Sequence, residues 1–201
     1  FMLWIGLTGG IGSGKSSAAG LIKTYGFPVL DADRLAHKTL EKGFPAYLKL
    51  IQDFGPDILL ENGEIDRKKL ASIVFQDKSA LARLENIIHP EIQLMAQQFR
   101  SEMESNKISC CFYDVPLLYE KNLTKQFSYV VVVAASLATR IQRLKLRNNW
   151  SEEEIKNRIS FQIPLEEKIA KADFVVQNEG SLDELKAEIA NLFDFLKIDR
   201  P

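Results

Sequence analysis

The sequence predicts an α/β fold: a parallel sheet flanked by helices, with a helical insertion and a lid. Three observations carry the prediction. Short apolar runs recur at Leu3 to Thr8, Ile108 to Tyr113, Tyr129 to Val133 and Phe174 to Val176, as in strands covered on both faces. Helical periodicities fill the intervals, the alternation that makes parallel sheets. Between the first run and the first helix lies Gly9-Gly10-Ile11-Gly12-Ser13-Gly14-Lys15-Ser16, which fits Gly, four residues, Gly-Lys-Ser at every position. Strand, phosphate-binding loop and helix in that order make this a P-loop NTPase-type sheet.

The loop also defines a ligand class. Its glycines let the backbone turn several N–H groups onto a phosphate chain, Lys15 supplies a compact positive charge, and Ser16 offers a hydroxyl to Mg²⁺. Gly12, Ser13, Gly14, Lys15, Ser16 and Ser17 are therefore the candidate nucleotide contacts, with a nucleoside triphosphate and Mg²⁺ as the expected ligands. Ala18, Leu21, Ile22 and Tyr25 recur at i, i+3, i+4 and i+7 behind the loop, and Gly26 and Pro28 supply the stop. Phe27 to Leu30 then reads as a brief second strand delivering Asp31-Ala32-Asp33 to its carboxyl end, where parallel sheets meet their ligands. Two readings stand for these acids: a strand that continues points both the same way, whereas a helix beginning at Asp33 makes that residue an N-cap.

From Arg34 to Met103 the pattern is helical, broken by turns at Gly43 to Pro45, Gly55-Pro56 and Asn62-Gly63. Leu70, Ile73 and Val74 share one face, as do Leu81, Leu84 and Ile88, and Pro90 is expected to open a further helix carrying Ile92, Met95, Ala96, Phe99 and Met103. His37 and His89 lack a neighbouring His or Cys at ligand spacing and read as packed or capping residues. The third apolar run ends in Asp114, for which three roles are open: steadying Mg²⁺ or its water shell, capping a helix, or pairing with Lys15. Cys110 and Cys111, adjacent in that run, should face opposite sides of the sheet as buried free thiols. Ser151 with Glu154 and Ser181 with Glu184 read as capping boxes. The first opens a short polar helix suited to a mobile flap; the second opens an apolar-faced helix that closes the domain.

Charge is almost balanced, 26 Lys plus Arg against 27 Asp plus Glu over 201 residues, so neither nucleic acid nor a membrane surface is an expected partner. No apolar run nears the ~18 residues of a membrane span. Strand and loop begin at once, so no signal peptide is expected and the reading is cytoplasmic. The imbalance is local: no acid lies between Glu120 and Glu152, while Lys121, Lys125, Arg140, Arg143, Lys145 and Arg147 do. On one helix Arg140, Arg143 and Arg147 fall within about 60° of one another, and this stripe is expected to face phosphates.

A guanine-reading Asn-Lys-x-Asp pattern is absent, since Asn106-Lys107-Ile108-Ser109 ends in serine. An acid at the second strand, a helical insertion, an arginine helix and a polar flap together suit a small-molecule kinase. The ordered set Leu7 to Ser16, Asp31-Ala32-Asp33, Gly63 with Asp66-Arg67 and Leu70, His89-Pro90, Val115-Pro116-Leu117-Leu118 with Glu120, Arg143, Arg147, and Ala172-Asp173 resembles the dephospho-CoA kinase family. The resemblance covers nearly the whole chain. It implies a nucleotide-binding core at 1–33, 106–148 and 172–201, a helical CoA domain at 34–105 and a lid at 149–171. It further implies ATP-dependent phosphorylation of the ribose 3′-hydroxyl of dephospho-CoA. By position, Asp33 becomes the candidate base, Lys15, Arg143 and Arg147 the other catalytic candidates, Asp33, Arg67 and His89 the substrate contacts, and Ser16 and Asp114 the metal contacts. Three positions depart from the family pattern: Ser17 for threonine, Asn148 for aspartate after Arg147, and Lys168 for arginine. A different small-molecule kinase and a non-catalytic nucleotide-binding module are the competing readings.

Overall fold

The computed structural model describes residues 2–199. Five strands form one sheet in the order β2-β3-β1-β4-β5: β1 Leu3–Gly9, β2 Val29–Asp31, β3 Cys110–Asp114, β4 Tyr129–Ala134 and β5 Phe174–Gln177. β1 runs parallel to both β3 and β4, with Leu7 opposite Asp114 on one side and Val131 on the other. The order reverses around β1, so the loop after it opens at the carboxyl ends of the strands, where open α/β sheets bind ligands.

The chain divides into two compact units, one holding the residues up to Leu30 and from Met103 onward, the other Asp31–Glu102. In the first, α1 (Lys15–Thr24) and α9 (Leu182–Leu196) contact each other, and α9 covers β5. Ala18, Ile22, Leu185, Ile189, Leu192 and Phe193 close a core with Ile5, Leu7, Phe112, Val131 and Val133. Cys110 belongs to that core and Cys111 does not, as strand alternation requires. Both are free and fully buried, and burial pushes their thiols to about 12 and about 11. At neutral pH they are protonated and inert. Trp4, Tyr113 and Phe127 form an aromatic cluster, with centroids 5.5 to 6.5 Å apart. α6 (Leu137–Asn148) follows β4, then α7 (Glu152–Ser160) and α8 (Leu165–Lys171). Both expected capping boxes are formed, at Ser151 and Ser181. α7 is less detached than its polar sequence suggests, because Ile155 is fully buried.

The second unit is helical: α2 (Ala32–Thr39), α3 (Pro45–Phe54), α4 (Arg67–Gln76) and most of α5 (Lys78–Ser105). Leu50, Ile58, Ile65, Leu70, Val74 and Ala80 make its core, with Leu84, Ile87 and Ile88 packed on it. Leu81 is instead 40% exposed. The Asn62-Gly63 turn closes a bridge between Leu59 and Ile65, with Gly63 at φ 75.

One local expectation is corrected here, and one of the two open readings for the acids is set aside. Pro90 does not start a helix; it lies inside the 28-residue α5. Leu84, Ile88, Ile92, Met95 and Phe99 stay in phase at intervals of three and four across it, so one continuous stripe outweighs the single backbone bond that proline removes at Asn86. Asp33 is not a cap. α2 begins at Ala32, and the cap is Asp31, whose carboxylate accepts from Arg34 N at 3.0 Å.

Candidate active site

Loop geometry explains the glycine spacing. Gly14 caps α1 in the left-handed region at φ 85, and a Cβ there would lie 2.0 Å from Asn178 Nδ2. Gly12, at φ 80, is similarly restricted. The loop carbonyls are occupied from outside. Asn178 Nδ2 donates to Ser13 O at 2.8 Å, Arg140 Nε to Ile11 O at 2.8 Å, and Arg143 Nη1 to Ser13 O at 3.4 Å. Ser13 N and Ser17 N donate to Gly10 O and Gly14 O, both at 3.0 Å, and the amides of Gly12, Gly14, Lys15 and Ser16 stand as donors for an anion, next to the positive end of α1.

Lys15 pairs with Asp114, so the third of the open readings for Asp114 describes its contact. The two sit on neighbouring elements: Asp114 ends β3, and Lys15 follows the loop from adjacent β1. Both side chains are largely shielded, at 18% and 8% exposure, which strengthens their attraction. Ser16, one residue into α1, is exposed.

The arginine stripe divides by role. Arg140 is only 5% exposed and spends its Nε on the loop, so it braces backbone instead of facing a ligand. Burial pushes its guanidinium below its ordinary value, with Glu166 opposing that shift. Arg143 is half-buried beside the loop, with Glu179 near enough to be held below the usual carboxylate range by Thr139 first and by Arg143 last. Arg147 is exposed and donates to Asn148 Oδ1 at 2.9 Å. The stripe appeared to lack acids in the sequence only because Glu179 and Glu166 arrive from distant segments.

Asp33 and Arg67 are exposed in the second unit, on the first turns of α2 and α4, and His89 is half-buried within α5. Asp33 makes no hydrogen bond or ion pair among the described residues, because Asp31 has taken the cap.

Sequence reasoning missed three contacts, two on the loop and one beyond it. Asn178 had a usable signal, since it directly follows the carboxyl end of β5. Gln162, whose Oε1 accepts from Ile11 N at 3.0 Å, had none beyond its place after α7. Lys168, fully buried, lies 2.7 Å from Glu120 Oε1. That contact is coulombic, as Lys168 Nζ has no partner in hydrogen-bonding geometry among the described residues. The ion pair accounts for a buried cation at position 168.

Known proteins resemble this chain over nearly its whole length. The family model described as dephospho-CoA kinase matches residues 3–184. A Corynebacterium glutamicum protein named dephospho-CoA kinase is 41% identical over 95% of this chain and 98% of its own, and a Bacillus cereus protein of that name is 40% identical over 92% of each. Among solved structures, a dephospho-CoA kinase from Campylobacter jejuni superposes with TM-score 0.72 at 29% identity, covering 96% of both chains. An Aquifex aeolicus shikimate kinase, at TM-score 0.52 and 17% identity, covers 98% of this chain and 99% of its own and shares the fold.

Proposed function

The chain belongs to the dephospho-CoA kinase family, and from that premise we propose how its residues divide the work of phosphorylating the ribose 3′-hydroxyl of dephospho-CoA with ATP. The enzyme is a kinase whose products are coenzyme A and ADP, the last step of coenzyme A synthesis. The loop from Gly12 to Ser17 holds the β- and γ-phosphates, and Lys15, aimed by Asp114, meets the charge of the transferring group. The observation that carries this reading is the outward-turned loop with its ion-paired lysine, in a chain that matches the family from residue 3 to 184.

Mg²⁺ fits the donor set. One hydroxyl at Ser16 and one carboxylate at Asp114 are hard oxygen ligands of the kind Mg²⁺ takes together with water and nucleotide phosphates. When bound, it would neutralise phosphate charge. Asp33 is the residue that orients or deprotonates the acceptor hydroxyl, having a carboxylate with no structural duty. Arg143 and Arg147 are the remaining phosphate contacts, and Arg67 and His89 the acceptor contacts. Segment 34–105 is the acceptor domain, and segment 149–171 the lid that excludes water from the transfer. The protein works where its donor ATP is kept, in the cytoplasm. No helix among the described residues is long and apolar enough to cross a membrane.

Offering Mg-ATP with dephospho-CoA, adenosine, shikimate and gluconate separately, and weighing the products, tests the assignment. One phosphate is expected on dephospho-CoA alone. Equal or faster modification of another acceptor would replace it with a different small-molecule kinase, and ATP binding without acceptor-dependent ADP release would leave a binding module.

A further inference from the structure

The root of the 149–171 segment is strapped to the phosphate loop at a point the reaction does not need. Gln162 Oε1 accepts from Ile11 N at 3.0 Å, Ile163 N donates to Glu120 Oε1 at 2.9 Å, and Lys168 Nζ lies 2.7 Å from that same oxygen. Three points of one segment are thus fastened, Gln162 to the loop and Ile163 and Lys168 to Glu120. Glu120 is itself a fixed post: it follows the stretch in which Pro116 O accepts from Thr8 Oγ1 at 3.2 Å, one residue before the loop begins.

Ile11 is held on both sides. Its N–H goes to Gln162 and its carbonyl to Arg140 Nε, partners 151 and 129 positions away. This N–H precedes the amides from Gly12 to Ser17, so Gln162 grips the rim of the cradle without filling it. A neutral amide oxygen suits the place, because a carboxylate would set a negative charge beside a triphosphate. Upstream on the same segment, Arg158 stacks on Trp150 with its guanidinium carbon 4.0 Å from the ring centroid, fastening the last turn of α7 to the residue just before its cap. Gln162, two residues beyond the end of α7, thus joins that helix to the rim of the loop.

Resting on the kinase reading, we propose that Gln162 is a positioning residue that couples nucleotide occupancy of the phosphate loop to the 149–171 segment, with Glu120 as the fixed post. The coupling is a property of a single hydrogen bond.

The chain has two tryptophans, Trp4 inside the sheet and Trp150 just before the cap of α7. In a Trp4→Phe background, emission therefore reports α7 alone. Adding a non-hydrolysable ATP analogue with Mg²⁺ is expected to change the Trp150 signal. Gln162→Leu, similar in size but without an acceptor, is expected to lose most of that change while the dissociation constant from calorimetry weakens about threefold to tenfold, the range of one lost hydrogen bond. Gln162→Glu, which restores an acceptor, is expected to recover the emission change although its charge weakens binding. Should Trp4→Phe not fold, nucleotide-dependent protection of Lys156 and Arg158 from trypsin reads the same coupling in the unmodified background. A parent that binds the analogue with no Trp150 or protection response overturns the coupling alone. So does a Gln162→Leu variant with the parent's response and affinity, or a Gln162→Glu variant with no recovery. A parent that binds no nucleoside triphosphate overturns the coupling and the kinase reading together.

Discussion

Replacing Asp33 by asparagine is expected to lower kcat by about 10²- to 10⁴-fold, the contribution of a positioned general base, while ATP affinity stays within about twofold. The expectation follows from how the two acids are used. Asp31 is committed to Arg34 N as the cap of α2, and Asp33, two residues later, is exposed with no hydrogen bond or ion pair among the described residues. An amide at position 33 keeps the shape and the hydrogen-bonding oxygen but no longer accepts the proton of the hydroxyl. Asp31→Asn is the control: asparagine caps helices about as well as aspartate, so that variant should retain turnover and fold. Steady-state kinetics with dephospho-CoA, together with calorimetric titration of an ATP analogue, measure both quantities. Near-normal turnover in Asp33→Asn would remove the residue from the catalytic set.

Lys15→Met is expected to cost about 10²- to 10³-fold in kcat/KM, as for loss of one preorganised charge at a developing anion, and to lower thermal stability as well. The second effect arises because Asp114, 6% exposed, loses its counter-ion. Removing one partner of a shielded pair costs about 3 kcal/mol, which for a chain of this size lowers Tm by roughly 6–12 °C. Adding Asp114→Asn should recover much of the stability and none of the activity. Calorimetry and acceptor-dependent ADP release separate the two effects. Recovery of both by the double variant would mean that Lys15 serves the fold alone.

What was legible in the sequence was whatever local periodicity and spacing encode. Four of the five strands, β1, β3, β4 and β5, lie where the apolar runs are, because strands covered on both faces are continuously apolar. The phosphate loop was legible because left-handed backbone at Gly12 and Gly14 admits few residues other than glycine. Both capping boxes were legible for a similarly local reason. Pro90 misled because its rule is local, whereas the stripe from Leu84 to Phe99 spans both sides of it. Arg140 misled because charge on a helix face does not disclose a carbonyl 129 positions away. Asn178, Gln162, Glu120 and Lys168 act through contacts between segments far apart in sequence, and no spacing within one segment encodes such a contact.

The central claim is that this loop is the donor half of a site whose acceptor is a ribose 3′-hydroxyl. Phosphorus–proton correlation spectroscopy of the product formed from Mg-ATP and dephospho-CoA tests it most directly. The account predicts one new monoester phosphorus, coupled to the ribose H3′, appearing in step with ADP. A phosphorus coupled to any other position, or ADP formed with no new monoester, would contradict it.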